Sequence, residues 1–178
     1  MTHKLTTEEM GRMSVEEFRE SEKLPLTVVL DNVRSLNNIG SVFRTSDAFR
    51  VEHIALCGIT ATPPHREIHK TALGAEDSVA WSYHEDTVEC VKGLKERGYR
   101  IYAVELAHDS IKLGNEELGV IGQHVALIFG NEIEGVQEEV MELCDGFLEI
   151  PQSGTKHSLN VSCAAAIAIW EISKQIKQ

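Results

Sequence analysis

The sequence predicts an α/β fold, a mostly parallel sheet with helices on both faces. Three observations predict it. Short apolar runs without in-and-out alternation, such as Leu26 to Leu30 and Val125 to Phe129, read as strands buried on both sides. Between them lie stretches of helical spacing bounded by capping residues. The two kinds of segment alternate along the chain, which is the rhythm of βαβ units. A chain of 178 residues fits about one domain with a sizeable core.

The elements follow in order. Ser14 and Glu17 form a capping box, so a short helix is expected over about 14–22, within an N-terminal extension of residues 1–24. The domain proper, 25–178, begins after Pro25 with a strand over 27–30, a helix over 39–49, a strand over 53–57 and a loop containing Pro63 and Pro64. A strand over 78–83 and a helix over 87–97 come next, the helix stopped by Gly98 at the position after its cap. Strands at 100–104 and 125–129 follow. The second runs into a loop at Gly130, and a helix over 137–144 ends before Gly146. A strand over 147–150 stops at Pro151, and a helix over 160–176 closes the chain. In such a sheet, ligands bind outside the carboxyl ends of the strands. The loops at 31–38, 105–113, 130–135 and 151–158 are therefore where chemistry is expected.

Composition narrows the function. Cys57, Cys90, Cys144 and Cys163 stand far apart with no C-x-x-C pair, which implies neither a zinc site nor a disulfide framework and places the chain in a reducing cytoplasm. No stretch approaches the roughly 20 apolar residues of a membrane helix, and no signal peptide is expected. The net charge of −11 argues against a polyanionic partner when taken whole. The acidity is local, however: residues 71–150 carry 17 acids against 5 bases, whereas 31–70 carry 5 bases against 4 acids. Segment 31–70 is thus free to face a nucleic acid while the acidic segment faces solvent.

Known nucleotide and metal motifs fail. The loop after the first strand holds one glycine, Gly40, instead of G-x-G-x-x-G, and Ser153 to Ser158 departs from the P-loop pattern. His65 and His69 have metal-helix spacing, but Glu67 is one position off the metalloprotease pattern and two prolines precede it. No metal is expected.

Three other segments fit together. Asn38, Gly40 and Arg44 read N-x-G-x-x-x-R; Gly130, Glu132 and Gly135 read G-x-E-x-x-G; Pro151, Gly154, Ser158, Leu159, Asn160, Val161 and Ser162 read P-x-x-G-x-x-x-S-L-N-V-S. In this combination and order the chain resembles the SpoU (TrmH-type) branch of the SPOUT RNA methyltransferases over about 25–175. Gln152 departs from it, standing where the family commonly has Met. The resemblance implies S-adenosylmethionine as cofactor and ribose 2′-O-methylation of tRNA or rRNA. It also implies a C-terminal trefoil knot and a homodimer whose active sites combine residues of both protomers. The short segment before the first strand leans the expectation toward tRNA.

Residues take roles by matching the motifs. A ribose 2′-hydroxyl is a poor nucleophile, so its developing alkoxide needs cationic and hydrogen-bonding support. Arg44 matches the arginine proposed in the family to activate that hydroxyl. Guanidinium does not deprotonate readily, so charge stabilisation and a phosphate clamp are the physically easier roles. Asn38 is expected to orient Arg44 or the ribose, Gly40 to permit close backbone approach, and the helix start to offer N–H groups to a phosphate. Glu132 matches a glutamate organising the loops and the partner's arginine, or else is an acid at a helix N-terminus. Ser158 and Asn160 complete the catalytic set, with N-capping of the closing helix as their other reading. Cofactor contacts are expected from Glu105, Leu106, Gly130, Ile150, Gln152 and Leu159, largely through backbone. RNA phosphate contacts are expected from Arg34, Arg66 and Lys70, which otherwise read as solvated bases. The closing helix is apolar nearly all round through Ala164 to Trp170, which calls for a partner helix as well as a core. The rival functions are a catalytically silent RNA-binding or assembly protein of the same fold, and a methyltransferase of another acceptor.

Overall fold

The computed structural model describes residues 3–6, 9–115 and 117–177. The order is α1 (Val15–Glu20), β1 (Leu24–Asp31), α2 (Leu36–Ala48), β2 (Val51–Cys57), α3 (Arg66–Ala72), α4 (Ala75–Ser78), β3 (Trp81–His84) and α5 (Thr87–Glu96). It continues with β4 (Arg100–Val104), β5 (Ile111–Lys112), β6 (Val125–Phe129), α6 (Glu138–Met141), β7 (Gly146–Glu149) and α7 (Val161–Lys177). Among the described residues seven strands form one sheet, ordered β3-β2-β1-β6-β4-β7-β5, and each of these strand pairings is parallel.

Burial explains the central strands. From Leu26 to Asp31 in β1, and throughout β6, every residue is buried, so both faces of the sheet centre are covered. One face carries Val28, Leu30, Ile54, Leu56, Leu127 and Phe129 and packs against α2, α3 and α7. The other carries Val29, Ala55, Cys57, Ile101, Ala103 and Ile128 and is closed by α5 and α6. Both layers derive from the alternation of side chains along each strand.

Local chemistry sets the helix starts. The capping box of α1 is present: Ser14 Oγ accepts from Glu17 N at 3.1 Å and Glu17 Oε2 from Ser14 N at 2.7 Å. Ser35 caps α2 and Asp86 caps α5. Gly98, at φ +83°, ends α5 as its position predicts.

Three sequence expectations need correction. The stretch after Pro63 and Pro64 is not a loop but carries α3 and α4, and Ser78 closes α4 instead of opening a strand. The helix over 137–144 shrinks to four residues, with Gln137 as its cap. Segment 105–113 contains a further strand, β5, which pairs with β7 (Ile111 with Leu148). As a result β7 lies between β4 and β5, and the chain enters the sheet there from within.

Candidate active site

The carboxyl ends of β4, β6 and β7 meet the start of α7 around a cleft of about 430 Å³. All six residues expected to contact a cofactor line it: Glu105, Leu106, Gly130, Ile150, Gln152 and Leu159. Glu132, Ser158 and Asn160 share that wall, so two of the three motifs converge there. Four glutamates (Glu105, Glu132, Glu134 and Glu149) line the cleft, with no lysine or arginine among its lining residues. Such a field favours a ligand carrying positive charge and disfavours a polyphosphate.

The 130–135 loop is tightly closed. Asn131 and Gly135 exchange two backbone hydrogen bonds of 2.9 Å, and Asn131 Oδ1 accepts from Ile133 N at 2.9 Å and Glu134 N at 3.2 Å. A Cβ at Gly130 would stand under 3.0 Å from backbone atoms of Gly135 and Val136, so only glycine fits. Gly135 adopts φ +74°, a second reason for glycine.

The first motif joins through hydrogen bonds. Glu132 reaches the start of α2: Oε2 accepts from Arg34 N at 2.9 Å, and Oε1 from Ser35 N at 2.9 Å and Asn38 Nδ2 at 3.2 Å. Asn38 Oδ1 in turn accepts from Asn160 Nδ2 at 3.1 Å. Asn160 Oδ1 accepts from Ser162 N at 2.9 Å and Ser162 Oγ at 2.6 Å, while its backbone carbonyl takes Ala164 N. One hydrogen-bond chain thus links Glu132, Asn38, Asn160 and Ser162. Burial alone would raise the Glu132 carboxyl, but the Arg34, Ser35 and Asn38 donors outweigh it and hold it below the usual carboxylate range.

These contacts revise several expected roles. Glu132 is an acid at a helix N-terminus, but that of α2, not of the helix following it in sequence. Asn160 both caps α7 and contacts Asn38, whereas Ser158 precedes the cap and faces the cleft. Part of the N–H array about the start of α2 is already used: Glu132 takes the N–H groups of Arg34 and Ser35, and Ser35 Oγ takes that of Asn38 at 3.3 Å. Gly40 does serve close approach, but of α3. A Cβ there would crowd Ile68 O and Thr71 Oγ1 at under 3.0 Å. Within one chain the Asn38 side chain bonds Glu132 and Asn160, not Arg44. Six residues on, Arg44 lies about 120° round the helix, outside the cleft, exposed and in no ion pair among the described residues.

Arg34, Arg66 and Lys70 are likewise exposed, and Lys70 pairs with Glu67 at 2.7 Å. The two histidines of the metal-like spacing are engaged separately. His65 caps α3 through Nδ1, which accepts from Glu67 N at 3.1 Å, and His69 Nδ1 meets Glu76 Oε1 at 2.5 Å.

Residues 25–170, which hold all three motifs, match the model of the SpoU rRNA Methylase family. The chain belongs to that family. Among SpoU relatives, it is 34% identical over 167 residues to a tRNA (guanosine(18)-2′-O)-methyltransferase of Thermus thermophilus, covering 94% of this chain and 84% of that one. It is 31% identical to the 23S rRNA (guanosine-2′-O-)-methyltransferase RlmB of Nitrosomonas europaea, covering 86% of this chain but only 57% of that protein. In structure it resembles the TrmH/SpoU tRNA modifying enzyme of A. aeolicus, with a TM-score of 0.78 and 27% identity over 90% of this chain and 81% of that one. An AdoMet-bound rRNA methyltransferase of Sinorhizobium meliloti superposes with a TM-score of 0.80 and 26% identity, over 90% of this chain and 61% of that one.

The sequence did not assign Asn131 or Ser35, which hold the loops together, to the site. Asn131 Nδ2 donates to Asn32 O at 2.8 Å, across 99 residues. Ser35, followed three residues on by Asn38, was the one legible signal, since serine is a favoured N-cap.

Proposed function

We propose that this protein is an S-adenosylmethionine-dependent RNA methyltransferase that methylates a ribose 2′-hydroxyl. The observation carrying this is the hydrogen-bond chain through Glu132, Asn38 and Asn160 at the wall of an acidic cleft, which joins all three motifs of a SpoU family member. The cleft fits the cofactor. Its closed glycine loop, the backbone ends of β4, β6 and β7, and four carboxylates suit a small ligand bearing a sulfonium. When bound, that cofactor supplies the electrophilic methyl group.

The chain's own residues do the rest. Gly130, Ile150 and Leu159 present the cofactor walls, with Glu105 and Leu106 at the mouth and Gln152 in place of the usual methionine. Ser158 lies at the cleft wall, suited to hydrogen-bond the ribose. Asn38 and Glu132 hold the start of α2 against that wall. Arg44 lies outside its own cleft, which supports its action in the partner's cleft of a homodimer. There it clamps RNA phosphate and stabilises the 2′-alkoxide. An exposed stripe along α7, Cys163, Ile167, Trp170 and Lys174, supports the same dimer, with Ile167 40% and Trp170 54% exposed.

In this reading the exposed Arg34, Arg66 and Lys70 contact the RNA backbone, and tRNA is the favoured pool, in keeping with coverage of 84% of the Thermus tRNA enzyme. The expected trefoil knot is supported by the insertion of β7 between β4 and β5. A cytoplasmic setting is supported by four free cysteines. The deciding experiment is transfer of labelled methyl from S-adenosylmethionine to unmodified tRNA and, separately, unmodified rRNA, followed by digestion to nucleosides. A 2′-O-methylated nucleoside from the tRNA pool is the expected result. Label on a base, or in neither pool, would overturn the reading.

A further inference from the structure

Beneath the cleft lies a carboxylate that none of the roles above uses. Asp31, at the end of β1, is 0% exposed. Four donors converge on it: Thr87 Oγ1 at 2.7 Å, Asn32 Nδ2 at 3.1 Å, Gln137 N at 2.9 Å and Gln137 Nε2 at 2.6 Å. A buried carboxylate is costly unless every lone pair is met, and here both oxygens are occupied by donors from three separate elements.

Its position gives the arrangement meaning. Gln137 is the cap of α6 and follows directly on the 130–136 loop, the glycine-closed wall of the cleft. That loop is attached to the end of β1 and the loop after it at three places. Gln137 meets Asp31, Asn131 meets Asn32, and Glu132 meets Arg34, Ser35 and Asn38. The second and third attachments involve exposed or half-buried groups. Asp31 is the buried one, and it also gathers α5 through Thr87.

We propose that Asp31 is a positioning residue for the cofactor, anchoring the C-terminal end of the 130–136 loop so that its backbone keeps the shape the ligand requires; this role rests on the methyltransferase reading above. Its logic is that of a buried acceptor for a backbone N–H. Asparagine in its place would turn one oxygen into a donor facing other donors, freeing Gln137 N while leaving side-chain volume unchanged.

Isothermal titration with S-adenosylmethionine, joined to amide exchange of the 130–137 segment, tests this. Asp31→Asn is expected to weaken cofactor binding about tenfold, equivalent to about 1.4 kcal/mol, and to speed exchange at Val136 and Gln137. Phe18→Leu, a core truncation on α1 away from this network, is expected to lower the melting temperature yet keep cofactor affinity within about twofold. Should Asp31→Asn not fold, Gln137→Ala removes the side-chain donor at an exposed position and is expected to weaken binding about threefold, since one bond of the set is lost. Unchanged affinity in the folded variant, or an equal loss in Phe18→Leu, would overturn the role. If wild-type protein bound no S-adenosylmethionine, the methyltransferase reading would fall and this role with it; wild-type binding with an unaffected Asp31 variant sinks Asp31 alone.

Discussion

Replacing Gly130 by alanine isolates the closed loop as a determinant of both stability and cofactor binding. The new methyl group would stand under 3.0 Å from Gly135 C, Gly135 O and Val136 N, whereas ordinary contact begins at 3.4 Å. These are backbone atoms held by the two Asn131 to Gly135 hydrogen bonds, so no side chain can swing away. The loop must open by about 1 Å or more to restore ordinary contact with all three atoms. Overpacking of this kind costs about 1–3 kcal/mol, while the stiffer unfolded chain returns about 0.4–1 kcal/mol. A net loss of about 1–2 kcal/mol corresponds to a fall of about 2–8 °C in melting temperature for a domain of this size. Displacement at the cleft wall also misplaces the reacting groups, and shifts near 1 Å cost about a hundredfold in rate. Differential scanning calorimetry and titration with S-adenosylmethionine measure the two effects. A variant melting within about 1 °C of wild type and binding the cofactor equally well would refute the closed-loop account, since the methyl would then have found room.

Three further outcomes are expected. Arg44→Ala abolishes methyl transfer to RNA while S-adenosylmethionine titration is unchanged, because Arg44 does not line its own chain's cleft; equal loss of both would place the arginine on the cofactor. Glu132→Gln flattens the acid limb of stability: the folded carboxyl titrates below its ordinary value, so its contribution is present above the ordinary value and lost as pH falls through the lowered one, and melting curves from pH 3 to 7 read the difference. His53 is held below 6.5 by burial and by its neighbours His84 and Arg97, with Glu52 opposing, and its Nε2 lies 2.7 Å from Ser82 Oγ. Protonation therefore favours the unfolded chain, stability falls as pH drops from 6.5 through the lowered value, and His53→Gln removes that slope in the same melting series.

The strands, their parallel pairing and three motifs were legible because each rests on a local pattern. Unalternated apolar runs mark buried strands, and β1 and β6 obey that rule over nearly their whole length. Helix α3 was not legible because its inward face consists of only Ile68 and Ala72, too few to show a period, and two prolines mask its start. A two-residue strand such as β5 has no pattern of its own and exists through pairing with β7. In the site, motif spacing located Asn38, Glu132 and Asn160 but not their mutual contacts, which span 94 and 122 residues. Asp31 escaped notice since a lone acid after an apolar strand is an ordinary feature until burial is known.

The place of β7 between β4 and β5 imposes an order on assembly. A ribosome that has released the chain up to Asp145 has made six of the seven strands, yet β4 has no neighbour on its outer side and β5 has nothing to pair with. Residues 146–149 must then enter from the interior, and only afterwards does α7 bring Asn160 to Asn38. Contacts of such long sequence separation form slowly. The cleft is therefore completed only in about the last fifth of synthesis, and until then the unpaired edge of β4 is the surface a chaperone or another nascent chain would meet.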